Sequence, residues 1–488
     1  MAAKKGAEKP SKKNEKGITA EKDDFSDWFA ELMIKADLAD YTEVSGCIVF
    51  KPQSYAMWEK VRNEVDKRFK SFGVKNVYFP LLIPEKYLNK EKDHVKGFSP
   101  EVAWVEKAGD SVLSERLAIR PTSETIMYPS YSKWIRSWRD LPLRYNQWNN
   151  VIRWEFRHPV PFFRTREFLW NELHTCLASE KEAMTEGNLV LSAYNDVTEN
   201  LMALYGVRGR KTENEKFAGA VFSEKIHYIM QNGKCLEGCP FHFDGQNFAK
   251  AYDIKFLDKD GKMQYVYQNT YAISTRMLGV MFAIHSDEKG LILPPKMAAN
   301  KVVIVPILFE GTSSKVLEEA RRIQKDLYEH GVFVDDRDNY KPGFKFNEWE
   351  LKGIPIRIEV GPKDLEKGQV VMVRRDTMAK EIVKVSDLNR RVRIILDEIQ
   401  KNLFERSKKT FLSKIENAPS LKDLKKVIEN KHVGISPLCK NVSCEDNLKV
   451  ETKGAKALWI DETKKVVNEK CILCAKKADY FVYVGKSY

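Results

Sequence analysis

Residues 150–170 read NVIRWEFRHPVPFFRTREFLW and set four arginines, Arg153, Arg157, Arg164 and Arg166, among six aromatic rings. The alternation is that of β-structure. Ile152, Trp154 and Phe156 fall on one face of a strand, and Arg153, Glu155 and Arg157 on the other. The run HPVP reverses the chain, and on the return Arg164, Arg166, Phe168, Trp170 and Glu172 share a face. The expected product is an antiparallel hairpin presenting guanidiniums, carboxylates and a flat ring together. Charges in a core setting are costly unless paired or put to use. Arginine's planar fork grips phosphate or carboxylate, and an aromatic face can stack on a base. On pattern alone, the hairpin fits a nucleotide site and an internal Arg–Glu lattice equally well.

The flanking segments place this hairpin in an α+β domain over 24–297. Helices are expected at DFSDWFAELMIKADLAD, at SYAMWEKVRNEVDKRFKSFG and around 123–138 and 179–205. Strands are expected at KNVYFPLLIP and near 116–120, 150–157, 163–174, 247–257 and 264–275, which together make a largely antiparallel sheet. From Lys301, strand and helix patterns alternate, giving a compact α/β domain over 298–405. A helix follows with Val392, Ile395, Leu396, Ile399 and Leu403 at helical spacing. Residues 406–488 form a third piece, and 1–23 read as a disordered basic tail.

The tail lacks the apolar core of a secretory signal, and no run in the chain is long and apolar enough to span a membrane. The net charge of +13 (82 basic against 69 acidic residues) favours a polyanionic partner. Eight cysteines without a disulfide-type framework fit a reducing, cytoplasmic interior. Four of them, Cys439-x4-Cys444 and Cys471-x2-Cys474, have the spacing of an all-thiolate zinc site, with four buried free thiols as the alternative. Cys235, Cys239 and His242 offer three further ligands of two types, but no fourth is evident and packed, reduced cysteines account for them. In RPTSE, Thr122 or Ser123 can cap a helix with Glu124 in its first turn.

Arg153-x-Glu155, a loop, then Arg164-x3-Phe168-x3-Glu172 resembles motif 2 of class II aminoacyl-tRNA synthetases. The segments KDHVKGFSPEVAWV, AIRPTSETIMYPSYSKWIRSWRDLPLRYNQW, GRKTENEKFAGA, VDDRDNYKPGFKFNEWELKGIPIRIEVGPKDL and the ending YFVYVGKSY narrow the resemblance to prolyl-tRNA synthetases of the eukaryote and archaeal type. It covers nearly everything after the tail. The resemblance implies a class II antiparallel-sheet catalytic domain, an anticodon-binding α/β domain and a C-terminal zinc-binding domain. It also implies a proline–tRNA ligase that forms prolyl-adenylate from proline, ATP and Mg²⁺, then charges the 3′ end of tRNA(Pro). Arg153 would hold the α-phosphate and the proline carboxylate, Glu155 would help read adenine, Arg164 would hold the terminal phosphate, and Phe168 would stack on adenine. Arg276, in the motif 3-like STRMLG, would be the second triphosphate arginine, with Glu172 and Gln268 further ATP contacts. Thr122 and Glu124 would face the secondary ammonium, with Trp170 and His242 completing the amino-acid pocket. Phe79–Pro80 resembles motif 1, which builds the homodimer interface. Asp335, Arg337, Lys345, Glu359 and Arg374 are implied base or phosphate contacts. With no long insertion between motifs 2 and 3, no domain for hydrolysing mischarged tRNA is implied.

Two runs depart from that family. Where it shows Gln-Gly-Gly-Thr-Ser-His, this chain has Glu237-Gly238-Cys239-Pro240-Phe241-His242, and the usual Asn-Ser-Trp-Gly-Leu-Thr-Thr-Arg is NTYAISTR, with Tyr271 and Ala272. Both departures are expected to fall in the amino-acid and ribose pocket, with Glu237 repelling phosphate unless it meets ribose or Mg²⁺. Two alternatives to the ligase therefore stand at this point. One is a non-catalytic tRNA-binding homologue; the other is a class II ligase with altered amino-acid specificity.

Overall fold

The computed structural model describes residues 17–88, 101–155 and 159–488. Phe156, Arg157 and His158 of the hairpin, residues 1–16 of the expected tail, and all of KDHVKGFSP lie outside the described residues.

Eleven strands form one sheet: β1 (Lys75–Asn76), β2 (Leu143–Ile152), β3 (Glu167–Leu177), β4 (Val207–Arg210), β5 (Phe222–Ile229), β6 (Cys235–Gly245), β7 (Tyr267–Ser274), β8 (Ile415–Asn417), β9 (Val433–Leu438), β10 (Lys456–Ile460) and β11 (Tyr480–Gly485). Their spatial order is β8-β9-β11-β10-β4-β5-β6-β7-β3-β2-β1. All neighbours are antiparallel except β1–β2 and β8–β9. Strand alternation gives the centre of the sheet two unlike faces. One packs the helix Glu180–Asn200, whose Val190, Leu191, Tyr194 and Val197 are buried. Ser179 caps this helix by accepting from the backbone N–H of Glu182. The opposite face carries Trp170, Glu172 and His174 of β3 beside Ser274, Ala272 and Thr270 of β7.

The hairpin is built differently from its sequence expectation. β2 ends at Ile152 and β3 begins at Glu167, so Arg164 and Arg166 precede the strand instead of sharing its face. Arg166 lies over the Trp154 ring at 4.2 Å and donates to the carbonyl of Ser45. The expected strand at 247–257 is a helix, Asn247–Tyr252, followed by a short strand, Lys255–Leu257. Phe248 and Tyr252 fall one helical turn apart and are both buried, and Asp253 ends the helix at φ +54. KNVYFPLLIP divides into β1 and a short strand, Leu82–Pro84.

The chain packs as two compact units. One comprises residues through Asp40, Phe50–Ser54 and His285–Gln400; the other comprises the rest. The first unit holds a five-stranded sheet in the order Val332–Val334, Val302–Pro306, Ile356–Val360, Gln369–Arg374, Lys380–Lys384. It also holds the helix Phe25–Lys35, which buries Phe25, Trp28, Phe29, Leu32 and Met33. In the second unit, the last 88 residues share the catalytic sheet because β10 pairs with β4 through Ile460 and Arg210. Trp459, Leu458, Phe411 and Val433 then fill one core with Ile229 and Cys235 of β5 and β6. Gly209 of β4 makes that approach feasible, since a Cβ there would meet Trp459 at 2.4 Å.

Candidate active site

A cavity of about 570 Å³ opens on the polar face of β3, β6 and β7, a size suited to a nucleotide with a small co-substrate. Its floor follows from strand register, with Trp170 opposite Ser274, Glu172 opposite Ala272 and His174 opposite Thr270. Gln268 lies on the same strand face but one pair further on, opposite Cys176. It is fully buried and does not line the cavity, so the structure does not bring it to the ATP contacts the resemblance implied.

Thr122, Glu124, Arg153, Glu155, Phe168, Trp170, Glu172, His242 and Arg276 all line the cavity. The loop bearing Thr122 is held by Glu172, which accepts from Ser123 N at 2.9 Å, Thr122 Oγ1 at 3.1 Å, Asn149 Nδ2 at 3.0 Å and Ser123 Oγ. Burial would raise the Glu172 pKa, but its bonds to His174, Ser123 and Asn149 outweigh this and bring it down to about 2. Thr122 Oγ1 also donates to Glu124, whose carboxylate is buried at the head of the helix Glu124–Trp134.

Arg153 donates through Nε to the carbonyl of Pro121 at 2.9 Å and lies over Trp170 and Phe168, its guanidinium carbon 5.1 and 5.6 Å from the ring centres. Its other two nitrogens have no protein partner among the described residues. Arg276 donates to the carbonyls of Phe163 at 3.1 Å and Glu237 at 3.4 Å. Burial first, then the nearby Arg153 and Arg164, lower its pKa against the pull of Glu237. Three arginines thus converge on one region, with Arg164 outside the cavity lining itself. The Phe163 ring is stacked on Tyr488 with centroids 5.4 Å apart, tying the loop between β2 and β3 to the C-terminal segment.

His242 lies 2.7 Å from Ser223 Oγ through Nδ1 and packs on Phe217 at 4.5 Å. Burial, followed by Lys225 and Arg153, lowers its pKa to about 3, so the ring is neutral near pH 7. Cys235, Cys239 and His242 do not converge as ligands; burial keeps both thiols protonated by raising their pKa values.

The two departing runs divide between the faces of the sheet. Phe241 and Tyr271 stack on each other, centroids 5.0 Å apart and 13° between planes. This pair lies on the helix side, where Tyr271 Oη donates to Glu186 and a Cβ at Gly187 would meet Phe241 at 2.4 Å. Phe241 therefore does not line the cavity, contrary to the expectation that both runs fall in the pocket, whereas Tyr271 does. Pro240, Ala272 and Glu237 do line the cavity. Glu237 pairs with Lys211 and Lys225, each at 2.7 Å, so its charge is balanced inside the protein and does not stand free to repel phosphate. The sequence reading missed these lysines. Lys225 was detectable as a charge set between the apolar Phe222, Ile226 and Tyr228 of β5, whereas Lys211 gives no such signal.

A family model for the class II core domain of the G, H, P, S and T tRNA synthetases matches residues 104–285. An anticodon-binding domain model matches 301–394, and a prolyl-tRNA synthetase C-terminal model matches 421–488. A proline–tRNA ligase of Bacillus thuringiensis subsp. konkukian is 44% identical over 98% of this chain and 100% of its own length. The chain belongs to the prolyl-tRNA synthetase family. A second family member, from Oceanobacillus iheyensis, is 44% identical over 96% of this chain and 98% of its own. The crystal structure of a prolyl-tRNA synthetase from Cryptosporidium parvum, complexed with halofuginone and AMPPNP, superposes with a TM-score of 0.93. It shares 42% identity and covers 97% of this chain and 100% of its own.

Outside the cavity, all five residues that the synthetase resemblance implied as base or phosphate contacts are paired within their unit. Asp335 accepts from Arg337 and from Trp349 Nε1, and Lys345 donates to the Asp335 carbonyl. Glu359 accepts from Arg357. Asp335, Lys345 and Glu359 are buried, so their structural partners leave little to offer a base. Arg337 keeps 37% of its side chain exposed, and Arg374 is paired with Asp376 and Glu398.

Proposed function

We propose that the cavity activates proline with ATP and that the prolyl group then passes to the 3′ end of tRNA(Pro). The observation that carries this reading is the shared space between Arg153, Arg276 and the Thr122–Glu124 pair. Arg153 would meet both the proline carboxylate and the α-phosphate, and Arg164 and Arg276 the terminal phosphates. Phe168 would stack on adenine, with Glu155 at its edge. Glu124 and Thr122 would take the two hydrogens of the secondary ammonium, beside Trp170 and a neutral His242. The carboxylate attacks the α-phosphorus in line, and pyrophosphate leaves with its electron pair. No proton has to move, so positioning and fixed positive charge carry the rate. Mg²⁺ would enter with ATP and neutralise charge on the phosphates.

The same reading assigns catalysis to 24–297, anticodon binding to 298–405 and zinc binding to 406–488, with 1–23 a basic tail. The three family-model matches support that division. Cys439, Cys444, Cys471 and Cys474 gather their sulfurs within 4.8 Å of one another, with Cys439 and Cys474 at 3.8 Å. A tetrahedral zinc with bonds of about 2.3 Å spaces its sulfurs at about 3.8 Å, so these residues fit the ion. When bound, zinc supplies cross-linking of the segment and no chemistry to the reaction. The eukaryote and archaeal type fits the C-terminal match and the short connection between motifs 2 and 3. A cytoplasmic homodimer is part of the reading, supported by unpaired cysteines and the motif 1-like Phe79–Pro80.

Proline-dependent ATP–pyrophosphate exchange tests the proposal, with other amino acids run alongside. Exchange with proline alone is expected. Exchange with another amino acid would move the specificity, and no exchange from folded, tRNA-binding protein would favour a non-catalytic role.

A further inference from the structure

We propose that Lys456, outside the cavity and contributed by the C-terminal segment, is a positioning residue for the ATP site and acts through Glu237. This deepens the ligase reading and rests on it. Glu237 stands where the family has a neutral glutamine. Its Oε1 faces Lys211 at 2.7 Å and Lys456 at 3.5 Å, and its Oε2 faces Lys225 at 2.7 Å. Lys456 is itself anchored by Glu215 at 3.1 Å. Lys211 also donates to the carbonyl of Leu458 at 2.7 Å, so β10 closes the network from behind.

The two ends of Glu237 bear on different parts of the site. Its backbone carbonyl accepts from Arg276, while its carboxylate is surrounded by ammonium groups. The charge of that carboxylate acts on the Arg276 guanidinium and so competes with phosphate for it. The lysines remove the competition by engaging Glu237 themselves, which leaves Arg276 to the triphosphate. Losing Lys456 strips one cation from Glu237, while Glu215, a wall residue of the cavity, keeps its pairing with Lys449. The excess negative charge then bears on Arg276 and on the incoming nucleotide. A neutral side chain at 237 has no need of Lys456, and the dependence is therefore peculiar to a chain with glutamate there.

Calorimetric titration of the full-length protein with AMPPNP tests this in the wild type, Lys456→Met, Glu237→Gln and the double variant. Lys456→Met is expected to weaken AMPPNP binding about tenfold, and the double variant to bind no worse than Glu237→Gln alone. Lys449→Met removes a cation that reaches Glu215 at 3.1 Å from the same segment, and it should leave the affinity unchanged. An unaltered affinity in Lys456→Met, or an equal loss on the Glu237→Gln background, overturns the proposal. If Lys456→Met does not fold, the double variant decides. A folded double variant with the affinity of Glu237→Gln supports the coupling, and one that also fails to fold makes Lys456 a stability residue and overturns it. A wild type that binds AMPPNP but shows no proline-dependent exchange overturns the ligase reading alone. A wild type that does not bind AMPPNP overturns both.

Discussion

Glu172 accepts the backbone N–H of Ser123 at 2.9 Å across 49 residues of chain, and this bond fixes the loop that carries Thr122 into the cavity. Glu172→Ala strands the donors of Ser123 and Asn149 in a buried setting. It is expected to cost about 3 kcal/mol in urea unfolding. The KM for proline should rise more than the KM for ATP, because the loop and not the arginines has lost its support. Equal rises would remove Glu172 from that role.

The acid limb of stability has a defined sign. Glu172 falls from 4.5 to about 2 on folding, so its contribution is complete above pH 4.5 and is lost as pH drops towards 2. His242 and His227 both fall from 6.5 to about 3, each through burial first, so the unfolded chain takes up protons below pH 6.5 that the folded chain refuses. Both trends predict a melting temperature that declines as pH is lowered from 6.5. Glu172→Gln should flatten only the part below pH 4.5, as read by calorimetry across pH.

Arg276→Ala removes a buried cation that, on the proposed reading, would meet the phosphates, and it should lower pyrophosphate exchange about 10³-fold. The melting temperature and zinc content should stay near those of the wild type. A variant with a tenth of the wild-type exchange would show that the arginine does little at the transition state.

The stack between Phe241 and Tyr271 is expected to couple the two in a double-mutant cycle by about 1 kcal/mol. Restoring the family's serine at Phe241 alone should cost about 3 kcal/mol, because it opens a void against Gly187 and Tyr271. Chemical denaturation of the four proteins checks both figures.

Zinc measured by atomic emission should be stoichiometric in the wild type and lost in Cys471→Ser. The Lys476 backbone N–H, ahead of the neighbouring thiols, brings Cys474 down to about 7, which favours the thiolate a metal needs. A fully folded, metal-free wild type would exclude the structural ion.

The positions of Arg153, Phe168, Trp170 and Glu172 were legible because a period of two, once the strand is known, fixes which side chains share a face. The cysteine quartet was legible from spacing. Arg164 and Arg166 were assigned to the strand because alternation continues through residues that in fact form the loop before β3. Gln268 obeys the right period but lies one pair too far along, a matter of register that one strand's sequence does not contain. Phe241 and Tyr271 were assigned to the ligand face because they sit in runs that touch ligand in the family. Alternation alone, set against Thr270 and Ala272, sends the Tyr271 ring the other way. The lysines around Glu237 come from β5, from β10 and, for Lys211, from the residue after β4, and nothing local in any one of these segments announces the other two.

The pairing of Ile460 with Arg210 also has a temporal meaning. On the ribosome, β4 emerges long before β10 exists, and at ordinary elongation speeds it waits on the order of ten seconds or more. During that interval it is a bare edge, able to recruit a strand from a neighbouring nascent chain. Its sequence, Val207-Arg208-Gly209-Arg210, puts two guanidiniums and a glycine along that edge, a composition poorly suited to intermolecular pairing. These arginines, which also pair with Glu224 of the neighbouring β5, thus guard that edge against aggregation while β10 is still being made.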